Sequence, residues 1–186
     1  FRRVLFRSMQ LKQDVDGHDL DPTDPDNWTV PTPIYRNDAS LLNGNKQLAA
    51  TASGGVGMSL DMTYFQDADG RSYYAWQQLG ATYIATMDPK DPAHVTSSPV
   101  RIVTPEYAWN AAIAEGPNVT LRDGKLYLMF SGSGVGKTYT TGLAVADASG
   151  TDLTDPASWT VLNYPIQKSG PFNGEMQLGT GHGMWS

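Results

Sequence analysis

The sequence predicts an all-β chain of repeated four-stranded units set radially, an incomplete β-propeller. Three observations carry that reading. Short runs rich in aromatic and β-branched residues recur, each bounded by Gly, Asp or Pro. Asp69-Gly70 and Asp123-Gly124 fall between such runs, where a tight hairpin needs positive φ. Finally, whole segments return far along the chain. Asp24-Pro25 through Trp28-Thr29-Val30 recurs as Asp155-Pro156 through Trp159-Thr160-Val161, with Asp91-Pro92 between them. The run from Phe65 to Tyr74 resembles that from Val119 to Leu128. A unit of about 65 residues suits four strands and their connections, the repeat of a propeller blade. A β-sandwich is the bland alternative, but it does not require repeated connecting segments.

The elements follow in chain order. Phe1 to Ser8 is basic and apolar, and it resembles the in-frame translation of a short-read sequencing adapter. Residues 1–8 are expected to be a scar outside the fold, with residues 9–186 forming the domain. The Asp-rich run from Asp14 to Asp26 reads as a connection between blades. Strands are predicted at 71–76, 82–86, 125–130 and 139–145, with an inner strand around Asp61. The one helix-like stretch, from Trp109 to Ile113, is too short to matter.

Composition narrows the function. Charged residues are 17 %, with 19 glycines and 12 prolines, which favours many short elements joined by turns. The formal charge of −6, with no basic block after the first seven residues, argues against a nucleic-acid partner. No apolar run is long enough for a membrane-spanning helix. The absence of cysteine excludes disulfides, thiol catalysis and thiolate metal sites. Ser131 to Thr138 looks like a phosphate-binding loop. However, the first glycine position holds Ser131, and a strand rather than a helix is predicted to follow.

Three polar side chains stand out by context. Asp61 is flanked by apolar residues on the inner strand. Glu115 lies in Ile113-Ala114-Glu115-Gly116-Pro117, just before a predicted strand and with no basic residue nearby. Burial of a carboxyl in such a place favours its protonated form, the form that donates a proton. His182 sits in a Gly-rich loop, Gly179 to Gly183. The bland readings are a paired strand residue, an exposed loop glutamate and a solvated loop histidine. Trp109, in a loop upstream of Glu115, offers an aromatic face on which a sugar ring could stack; core packing is an equal alternative.

In order along the chain, Leu60 to Phe65, Tyr73 to Trp76, Trp109, Ala114 to Pro117, Gly124 to Leu128, Asp152 to Trp159 and Gly181-His182 resemble glycoside hydrolase family 43. The likeness is greatest to its α-L-arabinofuranosidase-type members. The resemblance implies a five-bladed β-propeller, of which this chain holds about two to three blades. It implies an inverting O-glycosyl hydrolase acting on arabinose- or xylose-containing oligo- or polysaccharide from plant cell walls, with no organic cofactor. Matched motif to motif, Glu115 takes the place of the general acid. Asp61 takes that of the aspartate that orients the acid and tunes its proton affinity. Trp109 takes a substrate-contact position, and His182 that of a histidine holding a central ion, often calcium, through water. Nothing in residues 9–60 matches the general-base motif, and Asn110 stands where many members carry Glu. The chain is therefore expected to be an inactive, poorly soluble fragment of a secreted or periplasmic enzyme. The alternatives are a non-catalytic carbohydrate-binding propeller and a structural β-domain without a sugar partner.

Overall fold

The protein is seen in a computed structural model that describes residues 6–42 and 59–185. Two sheets dominate. The first holds β3 (Ser59–Gln66), β4 (Ser72–Gln78), β5 (Ala81–Asp88), β6 (Asp91–Val95) and β7 (Val100–Val103). Its order is β3-β4-β5, with β6 and β7 sharing the outer edge of β5. The second holds β8 (Ala114–Arg122), β9 (Lys125–Gly132), β10 (Thr140–Asp147) and the short β11 (Thr160–Val161), ordered β8-β9-β10-β11. All these pairings are antiparallel. Each sheet is an up-and-down meander, and the two innermost strands, β3 and β8, are neighbours. This is the arrangement of two adjacent blades of an incomplete β-propeller, as the repeat predicts.

Alternation along β4 shows why both of its faces are buried. Tyr73 and Ala75 point into the core shared with the second blade, beside Phe65, Ile84, Leu128 and Phe130. Tyr74 and Trp76 point the other way, against Phe6, Ile34, Leu42 and Val95. Every residue of β4 is buried, which is why Tyr73 to Trp76 forms an unbroken apolar run rather than an alternating one.

The inter-blade motif is a true structural repeat. Asp24 and Asp155 each cap a three-residue 3-10 turn, accepting from Asp26 N and Ala157 N at 2.9 Å. Trp28 and Trp159 each donate their indole N–H to the backbone six residues earlier, at Pro22 and Leu153. Asp21 and Asp152 bind Thr23 and Thr154 through backbone and hydroxyl alike. Asp91-Pro92 is no copy of this motif. With Val95 where the others carry Trp, it enters strand β6 and buries that valine.

The second repeat holds with one shift. Trp76 and Phe130 occupy matching positions in β4 and β9, each opposite a bulge in the inner strand. The inner strands themselves are offset by one residue, because the hairpins that follow them differ. Asp123-Gly124 is a two-residue turn with both φ positive, as predicted. Asp69-Gly70 lies instead inside a five-residue loop, tied by Asp67. Leu79-Gly80 closes β4–β5 with two positive φ values, a turn the sequence does not announce.

Phe6–Ser8, which the sequence sets apart from the fold, lie against it here. Phe6 is buried on Trp76, and β1 (Arg7–Ser8) pairs with β2 (Thr32–Pro33). An aromatic followed by extended backbone can cover an open apolar face whatever its origin. Residues 1–5 lie outside the described residues. At the other end, β12 (Gly170–Phe172) and β13 (Glu175–Gln177) form a small hairpin.

Candidate active site

The site is built on two β-bulges. In β3, Leu60 pairs with Gln77 and Thr63 with Ala75, so Asp61 and Met62 together face Trp76. In β8, Glu115 pairs with Ser131 and Asn118 with Met129, so Gly116 and Pro117 face Phe130. The first bulge residue is left-handed in both strands: Asp61 has φ 59° and Gly116 φ 58°. A bulge bends its strand and re-aims the side chains around it. Here the two bulges meet, and Gly116 N donates to Asp61 Oδ2 at 3.2 Å. The sequence places Glu115 just before a strand, but it is the second residue of β8. Gly116 and Pro117 are the bulge.

Glu115 is half-buried and is held by a residue the sequence did not single out. Tyr139, 5 % exposed and immediately before β10, donates its hydroxyl proton to Glu115 Oε1 at 2.7 Å. Its oxygen also lies 3.3 Å from His182 Nδ1. Burial pushes the phenol well above its ordinary value. The Ser131 hydroxyl opposes that shift, and the hydrogen bond to Glu115 and the charges of Glu115 and Asp61 add to it. Tyr139 is therefore neutral, and a donor, through the working pH range.

His182 follows Gly181 in an exposed segment, and its backbone N–H donates to Ser131 Oγ at 2.5 Å. A side chain at Gly116 would come within 3.2 Å of the imidazole, so that glycine makes room for the histidine. Beside it opens a cleft of about 270 Å³, lined by Asp61, Thr63, Gly116, Asn118 and His182 among others. Asp61, Glu115 and His182, three of the four sequence candidates, thus join one network through Gly116, Tyr139 and Ser131.

Trp109 is placed differently. Its indole N–H donates to Asn163 O at 3.1 Å, and its ring stacks with Tyr107 and Phe130. The ring edge lies over Gly132 and Gly142, where any Cβ would collide with it. It makes no hydrogen bond to the Asp61–Glu115 network. Asn110, next in the chain, is fully buried and ties the loop. Its backbone oxygen accepts from Ile113 and Ser133, and its side-chain oxygen from Tyr107 N. Its Nδ2 is buried with no hydrogen-bond partner.

Calcium takes six to eight oxygen ligands, whereas His182 offers ring nitrogens, one of them against the Tyr139 hydroxyl, so His182 would reach such an ion only through water. Among the described residues, the group of three acidic or histidine side chains close enough to share an ion is Asp14, Asp16 and His18, which is exposed and excludes His182.

No helix among the described residues is long and apolar enough to cross a membrane.

The family model described as glycosyl hydrolases family 43 matches residues 44–186. The chain is similar to an extracellular exo-α-(1→5)-L-arabinofuranosidase of Streptomyces chartreusis, 33% identical over 135 residues, covering 67% of this chain and 39% of that protein. It is similar to α-L-arabinofuranosidase 43 of Humicola insolens, 31% identical over 139 residues, covering 69% and 28%. Among solved structures it resembles α-L-arabinofuranosidase from Lactobacillus brevis, with a TM-score of 0.67 and 25% identity, covering 94% of this chain and 54% of that one. The chain spans less than two thirds of the length of each.

Proposed function

The chain belongs to glycosyl hydrolase family 43, and from that premise we propose that its protein removes terminal α-L-arabinofuranosyl residues from plant cell-wall polysaccharide, with inversion. One observation carries the reading: two bulged inner strands bring the Asp61 carboxylate against the backbone that follows Glu115. Inverting hydrolysis needs an acid to protonate the leaving oxygen and a base to activate water on the opposite sugar face. Glu115 is the acid. Asp61 fixes the bulge that carries Glu115 by accepting the Gly116 N–H. The base comes from an aspartate of another blade, and residues 1–186 alone do not turn over substrate. Arabinofuranosyl is preferred to β-xylosyl because the relatives at 31–33% identity carry arabinofuranosidase names. The protein is secreted, as the name of the Streptomyces relative says of that enzyme.

The test is to express the full-length reading frame and follow 4-nitrophenyl α-L-arabinofuranoside and arabino-oligosaccharides by proton NMR. The expected first product is β-arabinose, the inverted anomer. Binding of arabino-oligosaccharide without turnover would favour a carbohydrate-binding propeller instead, and first release of the α anomer would overturn the inverting mechanism.

A further inference from the structure

We propose that Tyr139 is the positioning residue of the acid: its phenol selects which Glu115 oxygen delivers the proton, and the Thr180–His182 segment holds the phenol in place. This rests on the reading of Glu115 as the acid. The terminal torsion of a glutamate is broad, so an unrestrained carboxyl does not present one oxygen reliably. Tyr139 removes that freedom by donating to Oε1. Oε2 is then the oxygen that carries the transferable proton to the glycosidic oxygen. When it does, the proton passes from Oε2 to the glycosidic oxygen, the bond from that oxygen to the anomeric carbon breaks, water adds to the anomeric carbon from the opposite face and gives its proton to the base, and Glu115 is left as a carboxylate stabilised by the Tyr139 hydrogen bond.

The phenol is itself over-determined. Thr180 N donates to Tyr139 O at 3.0 Å, and Thr141 Oγ1 donates to Thr180 O at 2.6 Å. Gly181 lies flat against the ring, where any Cβ would overlap it. The single hydroxyl proton goes to the nearer acceptor, Glu115 at 2.7 Å rather than His182 at 3.3 Å. His182 therefore presents an N–H at Nδ1 to the phenolic oxygen. Burial keeps the phenol protonated, so the device does not switch off within the working pH range. Misplacement of a catalytic group by ~1 Å can cost on the order of 100-fold in rate.

The test uses Tyr139→Phe in the full-length protein, a change that deletes one oxygen and keeps the ring against Gly181. Arabinobiose needs its leaving group protonated; 2,4-dinitrophenyl α-L-arabinofuranoside does not. On arabinobiose, kcat is expected to fall about 10- to 100-fold with KM little changed. On the dinitrophenyl substrate the fall is expected to stay within about threefold. An equal loss on both overturns the proposal, since a merely structural defect would not distinguish leaving groups. A second readout needs no turnover. The proton NMR spectrum should show a slowly exchanging downfield hydroxyl resonance that vanishes in Tyr139→Phe and moves in Glu115→Gln. A spectrum that Glu115→Gln leaves unchanged overturns the pairing. Failure of the wild type on both substrates, with the spectral result intact, overturns the substrate reading alone.

Discussion

Replacing Asp61 by glycine separates the chemistry of that residue from its backbone. Asp61 holds φ 59° at the first position of its bulge, where the next blade has Gly116 at 58°. A left-handed conformation costs an ordinary L-residue about 1–2 kcal/mol, and glycine none. Glycine loosens the unfolded chain by about 0.4–1 kcal/mol, which offsets part of that relief. The carboxylate also accepts the Gly116 N–H at 3.2 Å. Because Asp61 is half-buried beside an open cleft, water can take over that donor, so its loss costs about 1 kcal/mol rather than the full value of a charged bond. Asp61→Gly should therefore unfold within about 1 kcal/mol of the wild type. Asp61→Ala loses the same bond and keeps the strained φ, so it should be less stable than Asp61→Gly by about 1 kcal/mol. Urea melts of the full-length protein measure the difference, and kcat/KM on arabino-oligosaccharide measures the function. Both variants should lose at least about 100-fold in rate. An alanine variant as stable as the glycine one would refute the strain argument. A glycine variant within a few-fold of wild-type activity would remove Asp61 from the mechanism.

Other consequences can be checked separately. The Asp67 side chain has 0% exposure and accepts from Arg71 Nε at 2.7 Å, from Tyr73 Oη, and from the backbone of Asp69 and Arg71. Asp67→Ala strands those donors and should lower unfolding free energy by about 3–5 kcal/mol, read by urea denaturation. Arg71 is 43% exposed, so Arg71→Ala should cost less, about 1 kcal/mol, by the same measurement. Burial first, with added repulsion from Tyr64 and Asp91, pushes the Tyr74 phenol up to about 12, and burial also raises Tyr73 and Tyr139. Their unfolded phenols titrate near ~10, so this stability is complete below that pH and is lost as pH rises toward 12. Absorbance at the phenolate band should show exposed tyrosines ionising first and these three only with unfolding. Ionisation of all tyrosines in one step before unfolding would contradict it. Gly142→Ala places a methyl 2.5 Å from Phe130 Cζ and 2.6 Å from Trp109 Cη2. It should cost about 1–3 kcal/mol and red-shift tryptophan emission as the ring is displaced.

What could be read from the sequence was whatever local chemistry writes down. The capped Asp-Pro turns with their tryptophans are legible because every bond in them spans six residues or fewer. The strands around Tyr73 and Leu128 are legible from β-branched and aromatic content. The register of the inner strands was not, because it depends on the length of the β3–β4 connection, and one added residue exchanges the two faces of a strand. Leu79 was missed as a turn residue because sequence patterns reserve positive φ for Gly, Asn and Asp. Tyr139 was missed for another reason. It reads as one more strand aromatic, and its contacts reach 24 residues back to Glu115 and 43 forward to His182. The only sequence trace of that arrangement is the glycine before His182. It is required because the Tyr139 ring occupies the space of a side chain there.

The two blades share one backbone device and fill it differently. Each inner strand bulges opposite the aromatic of its second strand, Trp76 or Phe130, and each bulge begins with a left-handed residue. In the first blade that position carries a carboxylate. In the second it carries glycine, and the missing side chain lets the imidazole of His182 approach. The backbone N–H of the same residue reaches the Asp61 carboxylate of the neighbouring blade. An aspartate at both positions would set two anions against each other and exclude the histidine; glycine at both would leave the bulge beside Glu115 without its anionic anchor. Repetition builds the hollow between the inner strands, and the departure from repetition at this one position joins Asp61, His182 and the backbone beside Glu115 within it.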